Sequence, residues 1–437
     1  MEHYKASTTK SRALWERAIK LFPGGVSHNI RQFGLPAAGA YPPYITHGEG
    51  AHIWDVDGNE YIDWWTTHYS QILGHNNPRV KTAITNQLES GIQYGAPNEP
   101  QVQYGEKLQR AVPLLEKMRF TATGAESTTY SVRLSRLFTG KKLIGKSLGG
   151  WHGGNDALTF HLNYPYTDDP FYDGVSFDYN DRESFDQMLK KYGKELAAVI
   201  VEPMIGAGGA IAPQPGFLNY LREETESRDI LLIFDEIITG FRFRYGTAGD
   251  GVFGVKPDLL TLGKAAAGGM PLGVYGGRED IMALAAPRAK GGRWVGGGTF
   301  SSHPLTMVAG LAVLNQLEQK KKEYPKLSQK GEDFLTRLNE MLSIMKVPIL
   351  GIGYGSFICV NCLSHVPDEP IITPGTLGAL FDAQQQNIMQ SYLMQEHIFG
   401  YHGLGALSFA HDDQDIELTL ERIQRVAEKL GKSKAAK

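Results

Sequence analysis

Cysteine is nearly missing from this sequence of 437 residues: Cys359 and Cys362 are the only two. A disulfide framework is therefore excluded, and a reducing compartment is expected. The pair has Cys-X-X-Cys spacing, but in a strand an offset of three points the sulfurs to opposite faces. No second pair or nearby histidine completes a zinc set. Also lacking is any uninterrupted apolar stretch near the roughly 20 residues that span a bilayer. The N-terminal region carries Lys5, Lys10, Arg12, Glu16, Arg17 and Lys20 where a signal peptide has its apolar core. Neither charge dominates, since 44 basic against 47 acidic side chains leaves −3, too little to attract nucleic acid or an anionic membrane. The expectation is a soluble cytoplasmic protein whose partners are small molecules, with no nucleic acid, membrane or metal.

Glycine is present in excess, with 51 residues. They cluster in Ile205-Gly206-Ala207-Gly208-Gly209, between Gly263 and Gly269, and in Gly296-Gly297-Gly298. Such loops turn with positive φ or let backbone approach a ligand, although most are plain punctuation. The length exceeds a single compact core and implies two or three lobes. An Asp-Gly-Asn turn at 57–59 between apolar runs predicts a hairpin over 51–63. From about residue 77, helical patterns alternate with short strands predicted at 117–121, 143–146, 197–201, 230–234, 259–262 and 273–276. Several of these are apolar on successive residues, which suits a sheet covered on both faces. The implied class is α/β with mostly parallel strands. Two amphipathic helices near 325–345 and 414–430, with strands near 356–362 and 406–410, predict a smaller α+β lobe. The expected organisation is an N-terminal segment 1–76 joining the small domain, a large domain 77–318, and a C-terminal small domain 319–437.

Chemistry gathers at the ends of the predicted strands. The run Ile230-Leu231-Leu232-Ile233-Phe234 ends on Asp235 and Glu236, and Leu259-Leu260-Thr261-Leu262-Gly263 ends on Lys264. A buried unpaired charge is expensive, so two strands that each deliver one charged group describe a site. A lysine in apolar surroundings has a lowered pKa and attacks carbonyls, and a carboxylate facing a pyridine nitrogen holds that ring protonated. A third strand leads into Ala122-Thr123-Gly124-Ala125-Glu126, where a helix starts near Ala125. Free N–H groups at a helix start form a phosphate site, as they also form an ordinary capped terminus. A phosphate cradle, a carboxylate and a lysine together point to pyridoxal phosphate, with Lys264 as its Schiff-base lysine.

At this level of detail the chain resembles the class III pyridoxal-phosphate-dependent aminotransferases of fold type I, and among them the branch containing glutamate-1-semialdehyde aminomutase. The resemblance rests on Pro23-Gly24-Gly25-Val26 with Arg31, Leu73-Gly74-His75, the stretch 123–126, Val201-Glu202-Pro203, the segment 234–242 (FDEIITGFR), 257–277, and Gly298-Thr299. It implies a large domain with a mostly parallel seven-stranded sheet plus a smaller α+β domain. Lys264 then carries the cofactor and moves the proton, and Asp235 pairs with the ring nitrogen. Thr123, Gly124 and Ala125 surround the phosphate, which Thr299 from the other subunit of a homodimer closes. Glu202, Trp151, His152 and Ile237 fall in the same cofactor motifs. Trp151 stands where the family usually has a tyrosine; indole stacks equally well but lacks the phenolic hydroxyl. Arg31 would grip the substrate carboxylate through its planar fork. His68, in the aromatic stretch Trp64-Trp65-Thr66-Thr67-His68-Tyr69, would line the substrate pocket, whereas Trp64 fits core packing equally well.

Two departures bear on the reaction. Many class III transaminases place a glutamate five residues after the position of Glu202, and Ala207 stands there. The aminomutase has a Gly/Ser-rich gating loop where this chain reads His161-Leu162-Asn163-Tyr164-Pro165-Tyr166, and a C-terminal glutamate where it reads Tyr401-His402-Gly403-Leu404-Gly405. The resemblance thus implies a ping-pong aminotransferase acting on a carboxylate-bearing substrate, such as a β-amino acid, and a keto or aldehyde acceptor. Glutamate-1-semialdehyde 2,1-aminomutase is the alternative.

Overall fold

Short apolar runs separated by helices fold here into two compact units, as described by a computed structural model covering residues 2–159, 174–287 and 296–435. The first unit comprises 1–77, 327–370 and 380–437; the second comprises 78–326 with the short return 371–379.

In the first unit, β1 (Ile45–Glu49), β2 (His52–Asp55) and β3 (Glu60–Asp63) form an antiparallel meander, and Ile398–Phe399 adds in parallel to β3. The expected hairpin is the β2–β3 pair. Its turn is tied by Asp55, whose Oδ1 accepts the N–H groups of Asp57 (3.0 Å) and Asn59 (2.8 Å). A second sheet joins Ile349–Tyr354, Phe357–Cys362 and Gly405–Ala406. The long helix Asp413–Ala435 starts where Asp412 Oδ1 accepts the N–H of Asp415 at 2.9 Å, a cap. Trp64 is fully buried with Phe334, Leu338 and Ile423, and its Nε1 donates to Thr419 Oγ1 at 3.0 Å. Trp64 is therefore a core residue. Both cysteines are buried in their strand, and burial pushes the Cys359 thiol up to about 12. No group of residues able to hold a metal occurs among the described residues.

One local feature was not expected. Thr66, Thr67, His68 and Tyr69 have φ of 44°, 54°, 58° and 69°, a complete left-handed turn without a glycine. Each such residue costs roughly 1–2 kcal/mol. The turn is pinned by Thr66 N–H on Asp63 Oδ1 (3.0 Å), Tyr69 N–H on Trp65 O (2.9 Å) and Gln71 N–H on Thr66 O (2.9 Å).

The second unit is built on β4 (Lys117–Thr121), β5 (Leu143–Ser147), β6 (Gly174–Phe177), β7 (Leu196–Val201), β8 (Leu231–Asp235), β9 (Leu259–Gly263) and β10 (Gly273–Gly277). Their order is β4-β10-β9-β8-β7-β5-β6. β10 alone runs against its neighbours β4 and β9, and the remaining pairs are parallel. This is the mostly parallel seven-stranded sheet of fold type I. Every residue of β7, β8 and β9 is buried, which explains their unbroken apolar sequences. Burial of one such side chain, Ile200 for instance, contributes about 1.5–3 kcal/mol. The helix Gly124–Thr139 packs on β7, β9 and β10, and Phe217–Glu226 on β8. Among the described residues, no helix is long and apolar enough to cross a membrane.

Thr67 is β-branched, exposed and left-handed. Thr67→Gly should relieve more backbone strain than the glycine costs in chain entropy, a net gain of about 0.5–1 kcal/mol. A thermal melt checks this: the expected result is a higher melting temperature, and a lower one would show that the threonine side chain holds the turn.

Candidate functional site

Because β10 is antiparallel to both β4 and β9, the carboxyl ends of β4, β5, β7, β8 and β9 share one edge of the large sheet. Open α/β sheets bind ligands at that edge. Asp235 is the last residue of β8, Lys264 follows β9, Glu202 follows β7, and Trp151 and His152 lie in the loop after β5.

Asp235 is buried, and both of its oxygens are held. Oδ2 accepts from His152 Nδ1 at 2.8 Å; Oδ1 accepts from Thr261 Oγ1 at 2.7 Å and from the Ile237 N–H at 3.2 Å. A carboxylate only accepts, so His152 carries its proton on Nδ1. Burial lowers the His152 pKa against the upward pull of Asp235, and its Nε2 has no hydrogen-bond partner among the described residues. His152 is thus a neutral imidazole that orients the carboxylate. Gly150 makes this possible, since a Cβ there would come within 2.7 Å of His152 Nε2.

Lys264 is partly buried, with φ of 38°, in a 3-10 turn after β9. Burial pushes its amine pKa down, while the charges of Glu202 and Asp235 pull it up and Arg242 adds to the lowering. Glu202 shifts upward, first from burial and then from the neighbouring Asp235. Its oxygens accept the N–H groups of Trp151 (3.2 Å) and Gly206 (3.1 Å). Two carboxylates and an amine in one dry site therefore temper each other's charge.

At the end of β4 the helix Gly124–Thr139 opens with a capping box: Thr123 Oγ1 accepts the Glu126 N–H at 3.3 Å, and Glu126 Oε2 accepts the Thr123 N–H at 3.2 Å. Gly124 and Ala125 occupy the first two helical positions, whose N–H groups have no acceptor inside a helix. A Cβ on Gly124 would lie 2.9 Å from Ile237 Cδ1, so this helix start approaches the loop after Asp235 closely. An anion cradle, an anchored carboxylate and a depressed amine on one edge match the phosphate, the ring nitrogen and the aldehyde of pyridoxal phosphate. The residues fit that cofactor.

Other expected residues stand elsewhere. Thr299 is exposed and its carbonyl accepts Gln93 Nε2 at 2.8 Å. Trp151 is 39% exposed, so its indole is open to a ligand. Arg31 and His68 belong to the first unit, where both line a cavity of about 580 Å³. The stretch His161–Tyr166 lies outside the described residues.

Two residues of the sheet edge went unforeseen. Thr261 pairs in register with Asp235 and was signalled only by being polar in an apolar run. Lys146 is fully buried near the end of β5 and donates to Gly150 O at 3.3 Å. Burial drives its pKa down to about 7 against the pull of Glu202.

A folded-state pKa below the ordinary 10.5 means that the buried ammonium destabilises fully below about pH 7 and progressively less as the pH rises toward 10.5. Lys146→Met removes that term. The melting temperature of the variant relative to wild type should fall by several degrees between about pH 7 and pH 10. A difference that stays constant over this range would mean that Lys146 takes up no extra proton on unfolding, so that its pKa is not lowered by folding.

Known proteins resemble this chain over most of its length. A sequence model of the class-III aminotransferases matches residues 36–391. The glutamate-1-semialdehyde 2,1-aminomutase of Thermoplasma acidophilum is 35% identical over 429 residues, 94% of this chain and 97% of that protein. The crystal structure of a β-phenylalanine aminotransferase from Variovorax paradoxus superimposes with a TM-score of 0.87 at 29% identity, covering 98% of this chain and 96% of that one. A transaminase solved with pyridoxal phosphate bound gives a TM-score of 0.86 at 25% identity, covering 97% of this chain and 98% of the other.

Proposed function

Since the chain belongs to the class III aminotransferases and so is a pyridoxal-phosphate enzyme, we propose that it transfers an amino group between two small molecules, one a carboxylate-bearing amine such as a β-amino acid and the other a keto or aldehyde acceptor. Bound pyridoxal phosphate supplies the electron sink that makes the proton beside the amine removable.

The chain's own residues then divide the work. Asp235 keeps a positive charge on the ring nitrogen, and it can do so because His152 and Thr261 fix its oxygens without neutralising them. Lys264 attaches the cofactor and afterwards carries the proton. Its depressed pKa supports this, because an amine must be unprotonated both to attack a carbonyl and to accept a proton. The N–H groups of Gly124 and Ala125 hold the phosphate, with Thr123 at the cap and Thr299 contributed across a homodimer. Trp151 and Ile237 would flank the ring, and Glu202 stands behind Asp235. Arg31 takes the substrate carboxylate, with His68 beside it.

The observation that carries the two-substrate reading is the segment after Phe399. Where the aminomutase has a glutamate, this chain reads Tyr401-His402-Gly403-Leu404-Gly405, and Tyr401 packs edge-on against Phe33 (5.8 Å) and Trp65 (5.4 Å). Intramolecular rearrangement is the second reading, favoured by the name of the 35% identical relative.

The decisive assay gives purified holoenzyme one amine and one keto acid. A new amino acid formed only when both are present supports transfer between molecules; rearrangement of glutamate-1-semialdehyde alone overturns it. Lys264→Ala should reduce turnover by at least about 10³-fold while leaving the melting temperature within a few degrees of wild type. Turnover near the wild-type rate would remove Lys264 from its role. Arg31→Ala should raise KM for carboxylate substrates by roughly 10- to 100-fold and for simple amines far less.

A further inference from the structure

The cavity of the first unit holds more information than the position of one arginine. Its volume of about 580 Å³ lies within the range of small-molecule pockets. Arg31 is exposed at its wall and is the only permanently charged cation among the described lining residues. The only lining acid, Asp63, is already engaged: Oδ1 accepts the Thr66 N–H at 3.0 Å, and Oδ2 lies 2.6 Å from His75 Nε2. No free carboxylate repels an incoming one, and no second fixed cation calls for a second anionic group.

The rest of the wall is flat and apolar. The His68 ring stacks on Trp65 at 4.5 Å between centroids and 19° between planes. Phe33 meets Trp65 edge-on at 6.1 Å, which fixes the indole, and His28 stands edge-on to His68 at 6.2 Å. His68 is carried by the left-handed turn of Thr66 to Tyr69, four non-glycine residues with positive φ. Backbone strain of that size persists only where surrounding structure enforces it, and it clusters at functional sites. Here the strained backbone sets a flat ring on the wall of the cavity that Arg31 also lines.

We propose that this cavity selects aromatic monocarboxylates, Arg31 gripping the carboxylate and the Trp65–His68 stack receiving the aryl ring, so that His68 sets specificity for an aryl-bearing amino or keto acid. The inference rests on Arg31 as the carboxylate partner and adds the chemistry of the rest of the substrate. It also separates the two reactions, since an aryl-selective cavity does not suit a five-carbon semialdehyde.

Three probes titrated into holoenzyme by calorimetry test it: 3-phenylpropanoate, pentanoate and 3-phenylpropanol. The expected order puts phenylpropanoate about three- to tenfold tighter than pentanoate, the range of one aromatic contact, and the alcohol weakest. His68→Phe should keep that ratio because a flat ring remains. His68→Asn should bring it to within about twofold of unity, asparagine being chosen because it tolerates left-handed backbone. Arg31→Ala should weaken both acids by a similar factor. Equal affinities of the two acids for wild type, or an unchanged ratio in His68→Asn, would overturn aryl selection while leaving the carboxylate role intact. Acid binding indifferent to Arg31→Ala would overturn the carboxylate reading itself.

Discussion

A carboxylate at the end of a fully buried strand has to be satisfied on both oxygens, and that requirement organises the edge of the large sheet. Asp235 has three donors from three different places: the imidazole after β5, the hydroxyl within β9, and the backbone of its own loop. Each donor fixes something else in turn. His152 needs a glycine at 150 to fit, Thr261 needs β9 in register with β8, and Ile237 lies against the glycine that opens the phosphate-facing helix. One buried anion thus couples the geometry of four strand ends.

Glu202 brings a second carboxylate into the same dry volume, close to the amines of Lys264 and Lys146. Burial shifts acids upward and amines downward, so the shifts oppose full ionisation on both sides. The consequence is an amine held below its ordinary pKa, which favours carbonyl chemistry, beside a carboxylate that stays anchored. The glycine-rich loops and the tight capping box serve that arrangement by bringing backbone, not side chains, up to the ligand.

Much of this was readable from the residues because the strands concerned are buried on both faces. β7, β8 and β9 are apolar at nearly every position, and a lone charge after such a run stands out. Gly174–Phe177 was missed: it is four residues long and its sequence, Gly-Val-Ser-Phe, lacks the density of a buried run. The strand Ile349–Tyr354 was hidden by alternating glycines, which removed the side-chain pattern a strand is recognised by. Nothing in Thr66-Thr67-His68-Tyr69 announces a left-handed turn, since only His68 is of a type enriched at positive φ and a lone histidine does not predict a run of four. Its conformation is imposed by Asp63 and by the Trp65 carbonyl, contacts that exist only after folding. The nine-residue return of 371–379 into the second unit was equally invisible, because membership in a unit is decided by packing and not by composition.

That return has a consequence for biogenesis. The chain changes unit after residues 77, 326, 370 and 379, so neither half is a contiguous piece of polypeptide. During synthesis the leading 77 residues emerge long before the segments they pack with, and the second unit receives its last strip, 371–379, only after residues 327–370 of the first. The second half has all of its residues once 379 is made, whereas the first is complete only at 437. Maturation is therefore tied to release of nearly the whole polypeptide, and a truncation before residue 371 leaves both halves incomplete.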